Sequence, residues 1–333
     1  MIKIGQVGLG NWGKNLFRVF LEMKEAWVVT VCDLKQENLD YAKGKCDFLV
    51  VTQNYDDIIN NPEIQAVVIA STGKEHHELA KKALLAGKHV YIEKPLTLKG
   101  SDAQDLIKIA EEKNKKIMVG HLLLYHPSIK KLKEIIDSGS MGDIYYMYSQ
   151  RVNLGIVRKD ENSLWNFAPH DISVILHLMG ETPLAVNATG KDYLQEALED
   201  VVFVTLHFPS GRMAHIHISW LDPHKIRKLT IVGSAKMVVF DDMEATEKIR
   251  IYDKAAVKMG DSYADAITLR SGDIHIPKVD LKEPLGIECK HFIECIEKDL
   301  KPLTDGYNGL TTVKVLEAAD LSLKNKGALV MLQ

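Results

Sequence analysis

Three short constellations carry residues whose types and spacing suit chemistry. The first is Gly8-Leu9-Gly10-Asn11-Trp12-Gly13. In such a GxGxxG run the first glycine allows a tight turn and the second lets a pyrophosphate approach the backbone. The third lets a helix pack closely on a strand. Free N–H groups at the helix start then face the phosphate charge. Asp33 ends the next strand-like run, where its carboxylate suits the adenosine ribose hydroxyls and repels a 2′-phosphate. This favours NAD, while nearby Lys35 leaves NADP open. The second constellation is Glu93-Lys94-Pro95. Lys94 there can donate to a reacting oxygen and stabilise alkoxide character as a hydride leaves. Positive charge on an oxidised nicotinamide would lower the lysine's own pKa. Pro95 fixes the local backbone and is compatible with a cis bond. The third is Trp165-Asn166-Phe167-Ala168-Pro169-His170-Asp171. His170 brings an imidazole, a group suited to exchanging the proton of a substrate hydroxyl near neutral pH. Asp171 is placed to cap a helix expected from about Ile172, or to orient a neighbour.

Positioning these groups requires a particular order of elements. Ile2–Val7 reads as a buried strand, Lys14–Met23 as a helix, and Trp27–Cys32 as a second strand. Phe48–Val51, Ala66–Ala70, His89–Ile92 and Lys116–Val119 continue the strands. His76–Ala86, stopped by Gly87, and Asp102–Glu112 supply helices. Strands alternating with helices predict a parallel sheet covered on both faces. The pattern changes after about residue 120. Pro127–Ser138 and the Trp165–Gly180 region read as helical. Ile144–Leu154, Leu184–Thr189, Val201–Phe208, Met213–Trp220, Lys228–Val232 and Met237–Phe240 read as strands with few helices between them. Cys289–Lys298 and Gly309–Asn325 are helical again. The expected class is α/β plus α+β. A Rossmann domain over 1–120 precedes an α+β domain over 121–333 with an open, mainly antiparallel sheet. The last helix is able to return to the first domain.

Bulk properties narrow the function classes. The chain has 333 residues, 46% hydrophobic and 26% charged, which suits two globular domains. A formal net charge of −3 leaves no basic excess to hold nucleic acid. Cys32, Cys46, Cys289 and Cys295 form no CxxC pair, so free thiols in a reducing compartment are expected rather than disulfides or zinc. No apolar run reaches membrane-spanning length, and the start lacks signal-peptide features. A cytoplasmic protein without membrane partners is expected. Without HExxH, clustered Cys/His or an EF-loop, no metal is expected. Neighbouring His76 and His77 point in different directions on a helix, and His215 with His217 lacks a third ligand.

Taken together, GxGxxG, Asp33, Ser71-Thr72 with His76, GKHVYIEKP and HDIS resemble, in that order and across nearly the whole chain, the glucose–fructose oxidoreductase / inositol dehydrogenase / rhizopine catabolism (Gfo/Idh/MocA) family. The resemblance implies an N-terminal Rossmann domain binding NAD(P). It also implies a C-terminal sheet whose exposed face forms homodimer or homotetramer contacts. It puts Gly8, Gly10, Asn11, Trp12, Asp33, Thr72, His76, Glu93 and Lys94 around the cofactor, and assigns Lys94 and His170 to catalysis. Two departures stand out. Asn166 occupies a position where many polyol dehydrogenases of the family have Asp, and Gly73 replaces a usual proline. GLGNWGKNL, GHLLLYHPS and RVNLGIVRKDENSLWNFAPHDIS look most like the nucleotide-sugar branch. Those enzymes oxidise the 3-hydroxyl of UDP-N-acetylglucosamine or its uronic acid in surface-polysaccharide pathways. Arg151 and Arg158 can clamp a pyrophosphate or carboxylate. Asn153 and Asn166 suit sugar hydroxyls. Tyr125, His126 and Trp165 offer an aromatic wall with polar edges, and Asp160–Asn162 reads as a solvated loop. A free-sugar or inositol dehydrogenase is the alternative within the family. A non-catalytic dinucleotide sensor is the alternative outside enzymes.

Overall fold

The computed structural model describes residues 1–258 and 267–332. Two compact units divide the chain. The first comprises Met1–Tyr125 and Lys282–Lys314, and the second His126–Leu281 and the chain from Val315 onward.

In the first unit, strands and helices alternate: β1 (Ile2–Val7), α1 (Gly13–Glu22), β2 (Ala26–Cys32), α2 (Gln36–Lys43), β3 (Val50–Thr52), α3 (Asp56–Ile59), β4 (Ala66–Ile69), α4 (His76–Leu85), β5 (His89–Glu93), α5 (Gly100–Glu112) and β6 (Ile117–Gly120). The six strands form one parallel sheet in the order β3-β2-β1-β4-β5-β6. β4 and β6 are buried along their whole length because helices cover both faces. On α1 the spacing of Leu16, Phe17, Val19 and Phe20 buries one stripe against the sheet. Each such side chain contributes about 1.5–3 kcal/mol through burial. The order reverses between β1 and β4, so the crevice beyond their carboxyl ends is where a doubly wound sheet takes its ligand.

The second unit begins with α6 (Pro127–Asp137), β7 (Ile144–Val152) and α7 (Ser163–Met179). Then follow β8 (Ala185–Lys191), β9 (Val201–His207), β10 (Met213–Ser219), β11 (Ile226–Gly233), β12 (Met237–Asp241), β13 (Ile249–Lys258) and β14 (Ile267–His275). Further along the chain come α8 (Pro284–Glu297), α9 (Gly306–Lys324) and β15 (Val330–Met331). The nine-stranded sheet runs β14-β13-β12-β11-β7-β10-β9-β8-β15 and is antiparallel except for the β7–β10 pair. Alternation sorts its faces. Val202, Val204, Leu206, Ala214, Ile216 and Ile218 are buried, whereas Phe203, Met213, Tyr146 and Tyr148 are exposed on the opposite side. Trp220 is fully buried and its indole N–H donates to Asp200 Oδ1 at 2.6 Å.

Several boundaries differ from the sequence expectation. Residues 282–314 count with the first unit. There α8 places Phe292 edge-on to Tyr91, and the Thr304 hydroxyl donates to the Val119 carbonyl at 2.7 Å. Strand β14 escapes periodicity reading because it lies at the sheet edge with residues 268–275 exposed, and β13, paired between β12 and β14, because charged Arg250, Asp253 and Lys254 interrupt its apolar pattern. Helix α7 starts at Ser163, a full nine residues before Ile172, because Asn162 caps it: the Trp165 N–H donates to Asn162 Oδ1 at 3.1 Å. The 160–162 stretch is therefore not merely solvated, since Asn162 is buried.

Candidate functional site

The glycine turn after β1 is built as its sequence demands. Gly8 has φ +90°, and a side chain there would meet the Ala70 carbonyl oxygen at 2.5 Å. A side chain on Gly13 would lie 2.3 Å from the Gly8 carbonyl oxygen, so α1 sits hard against the turn. At Gly10, by contrast, a Cβ would meet nothing within 4 Å. This open approach to the backbone is what a pyrophosphate requires, and α1 has no side-chain cap occupying its first N–H groups. The motif did not reveal Gln6. It is fully buried, and its amide donates to the carbonyls of Gly8 at 3.0 Å and Gly13 at 2.8 Å. Asp33 accepts from the N–H of Leu9 at 2.7 Å, the N–H of Lys35 at 2.8 Å and the Asn38 amide at 3.1 Å. Those bonds fix its carboxylate at the end of β2 with acceptor capacity left for ribose hydroxyls. Asn11 and Trp12 are exposed at the turn, and Thr72 is exposed beyond β4. The Ser71 hydroxyl is buried without a hydrogen-bond partner, an available donor beside the cradle. These features fit a bound dinucleotide.

Glu93 closes β5, and the Lys94–Pro95 bond that follows is cis. The indole N–H of Trp12 donates to Glu93 Oε1 at 2.6 Å, tying the glycine turn to the lysine turn. Tyr91 donates to the same oxygen at 3.3 Å. Gly120 makes room for this arrangement, since a Cβ there would lie 2.8 Å from Glu93 Oε1. His76 is buried rather than offered to a ligand. Its Nδ1 faces the Pro95 carbonyl at 2.7 Å and its Nε2 the Ser71 carbonyl at 3.3 Å. It therefore holds together the loops after β4 and β5. Burial pushes the His76 pKa down, which keeps the ring neutral.

Burial also pushes the Glu93 carboxyl up to about 7, against the opposing pull of Trp12 and Lys94. Glu288 on α8 is wholly buried beside it and is pushed well above the carboxylate range, first by desolvation and then by Glu93. Neither neighbour was legible as a pair in the sequence. Both folded-state pKa values lie above the unfolded ones. Their stabilising contribution is thus complete below about pH 4.5 and is lost, for Glu93, as pH rises through about 7 and, for Glu288, as pH rises through its own raised pKa. Glu288→Gln replaces a buried carboxyl, which only the unfolded chain ionises readily, by a group that is neutral in both states. The stability difference, variant minus wild type, is expected to grow between pH 5 and 8, read as a widening difference in melting temperature. A difference that stays constant across that range would contradict the raised pKa of Glu288.

In the second unit the Trp165–Asp171 run lies inside α7 rather than before it. Asn166 and His170 are one turn apart on the same helical face. Pro169 cannot donate to the Trp165 carbonyl, so that turn lacks one helical hydrogen bond. Asn166 is buried, and its amide donates to Glu161 at 2.5 Å. Ser173 donates to the His170 carbonyl at 3.0 Å. Asp171 neither caps the helix nor is exposed; it forms a buried ion pair with Arg151. Arg151 is therefore committed within the protein and is withdrawn as a clamp. Two further expectations are corrected. Tyr125 is buried, with its hydroxyl 3.0 Å from that of Thr304, and belongs to packing within the first unit. His126 is buried as the N-cap of α6, its Nδ1 accepting from the Ser128 N–H at 3.0 Å. Neither forms a substrate wall, whereas Trp165 remains half-buried.

A cavity of about 510 Å³ in the second unit gathers Asn153, Arg158, Asn166 and Phe167 with Lys225 and Arg227. Sequence reading missed the last two. They lie at the start of β11, and only the register that sets Arg227 opposite Arg151 brings them to this place. Arg227 lies over the Phe167 ring at 5.2 Å and donates to Asn153 Oδ1 at 2.6 Å. Among the described residues, no group of three or more His, Cys, Asp or Glu is arranged to hold a metal ion. No described helix is long and apolar enough to cross a membrane.

Comparison with known proteins agrees with this geometry. Residues 2–121 match a model described as an oxidoreductase family NAD-binding Rossmann fold, and residues 129–239 match a Gfo/Idh/MocA C-terminal domain. Inositol 2-dehydrogenase from Salmonella typhimurium is 31% identical over 218 residues, 63% of this chain and 65% of that one. The 2,7-anhydro-N-acetylneuraminate hydratase of Escherichia coli is 26% identical over 271 residues, 75% of this chain and 70% of that one. The chain thus spans about two thirds of the length of these curated relatives. UDP-N-acetylglucosamine 3-dehydrogenase GnnA from Acidithiobacillus ferrooxidans shares the fold, with a TM-score of 0.84 at 20% identity over 98% of both chains.

Proposed function

The chain belongs to the Gfo/Idh/MocA oxidoreductases with an NAD-binding Rossmann fold, and from that premise we propose that it oxidises a secondary hydroxyl of a sugar, specifically the 3-hydroxyl of a UDP-N-acetylhexosamine or its uronic acid. The observation that carries the reading is the lysine turn: Lys94 follows the carboxyl end of β5 and is tied through Glu93 and Trp12 to the dinucleotide turn. Bound NAD supplies the hydride acceptor. Gly8, Gly10 and Gly13 receive its pyrophosphate, and Asp33 receives the ribose hydroxyls, which favours NAD over NADP. Lys94 donates a hydrogen bond to the reacting oxygen and stabilises the negative charge that develops there. His170 accepts the hydroxyl proton. With an amide at Asn166, no carboxylate at that position shares the proton.

A 3-keto product next to an acetamido group is suited to transamination, consistent with a role in polysaccharide precursor synthesis in the cytoplasm. The exposed Tyr146, Tyr148, Phe203 and Met213 on the open sheet face support a homodimer or homotetramer assembled through that face. The reaction is tested by following NADH absorbance with UDP-N-acetylglucosamine, its uronic acid, myo-inositol and glucose in turn. An aminotransferase with its amino donor is added to draw off the ketone. NADH from a nucleotide sugar alone is the expected result. NADH from inositol or glucose would move the protein to polyol oxidation. Silence with all four despite NADH binding would reject the proposed reaction.

A further inference from the structure

The cavity of the second unit has an electrostatic imbalance that its packing does not explain. Arg158, Lys225 and Arg227 line it, and no Asp or Glu does. Lys225 has no carboxylate within ion-pair distance among the described residues. Arg158 pairs with Glu161, its Nε 3.8 Å from the carboxylate, which leaves Lys225 and Arg227 as the cations without an ion pair among the described residues. Arg227 is half-buried, yet it too has no ion-pair partner among the described residues. Its guanidinium has five N–H donors. Three are directed at the carbonyls of Val152 and Ile226 and at Asn153 Oδ1, so two remain. One face of the group is covered by Phe167. Burial, with the nearby charge of Arg151, pulls its pKa down to about 10. It nevertheless remains a cation at neutral pH, partly withdrawn from water, with Asp171 and Asp242 acting on it only from beyond ion-pair distance.

A guanidinium in this state is stabilised by an oxyanion that can take two parallel N–H bonds. A single carboxylate would balance one of the two cations that have no ion pair. A diphosphate carries two negative charges and several acceptor oxygens, enough to engage the Arg227 fork and the Lys225 point charge together. The volume suits a diphosphate with part of an attached group. We propose that this cavity seats the diphosphate of the substrate, with Arg227 and Lys225 as its principal contacts, Arg158 at its rim, and Asn153 fixing the Arg227 fork. The assignment deepens the nucleotide-sugar reading above and rests on it for the identity of the substrate. Binding, however, is measurable without turnover.

The test is calorimetric titration of the whole protein, with NADH saturating so that the dinucleotide cradle is filled. UDP, pyrophosphate, uridine, glucose 1-phosphate and glucuronate are the probes. UDP and pyrophosphate are expected to bind, uridine and glucuronate to fail, and glucose 1-phosphate to bind at least tenfold more weakly than UDP. Lys225→Ala, at an exposed position, and Arg227→Gln should each weaken UDP at least tenfold, with the Lys225 variant melting as wild type does. Rising salt should weaken UDP further. Equal UDP affinity in wild type and Lys225→Ala overturns the proposal, as does no UDP binding at millimolar concentration. Glucuronate binding in place of UDP would make the cavity a carboxylate seat and also overturn it. The two readings fail separately. Nucleotide-sugar turnover with an unchanged KM in both variants removes the seat and leaves the reaction. UDP binding that the variants abolish, with no nucleotide sugar turned over, keeps the seat and removes the reaction.

Discussion

Lys94→Ala is expected to lower kcat by roughly 10³-fold while NADH affinity stays within about threefold of wild type. The asymmetry follows from where the lysine stands. In the proposed reaction dinucleotide affinity is set at the glycine turn, at Asp33 and at the start of α1, where Gln6 and backbone bonds hold the geometry. The lysine ammonium instead meets charge that grows on the reacting oxygen, so its loss appears in the chemical step. Removing it also withdraws the charge that holds the Glu93 carboxyl down, so Glu93 should titrate higher still. His170→Asn serves as the companion variant. It should lower kcat by about 10²–10⁴ and flatten the acidic limb of the pH–rate profile, because a base must be unprotonated to accept the hydroxyl proton. Stopped-flow NADH formation and fluorescence titration of NADH separate these effects. Near-normal kcat in Lys94→Ala would remove it from the reaction. Retained kcat in His170→Asn alone would pass the proton to Lys94 or water.

The second large effect separates two glycines of one motif. Gly8→Ala should cost about 3 kcal/mol or more, since its Cβ would lie 2.5 Å from the Ala70 carbonyl oxygen at a φ of +90°. The clash is with backbone and cannot be relieved by a rotamer change. Gly10→Ala should instead fold with a nearly unchanged melting temperature, because nothing lies within 4 Å of the added methyl. Its NADH affinity should still fall by tenfold or more, since the methyl occupies the approach a pyrophosphate needs. Thermal melts and NADH titrations on the two variants decide the matter. A Gly10→Ala protein that binds NADH like wild type would show that the open side of the turn is not where the pyrophosphate sits.

What could be read from the sequence alone was whatever depends on neighbours in the chain. The glycine turn, Asp33 at the end of β2 and the lysine turn after β5 each sit within a few residues of the apolar run that locates them. Period-two alternation located the strands of the open sheet through β12, where one face is buried and the other is not. The edge strand β14 and its neighbour β13 lack that contrast and are invisible to it. The Pro169 turn concealed the early start of α7, because a capping asparagine outweighs one missing helical hydrogen bond.

Tertiary structure alone decided which charged and aromatic groups are available. Arg151 is consumed by Asp171, and Tyr125 and His126 are consumed by packing and capping. Arg227 reaches Asn153 only through the β7–β11 register, and Glu288 reaches Glu93 only because α8 returns to the first unit. Each of these outcomes is a pairing between distant segments. A residue's type and its near neighbours set what it can do in water. Its partners and its burial set whether that capacity is already satisfied within the protein or remains for a ligand.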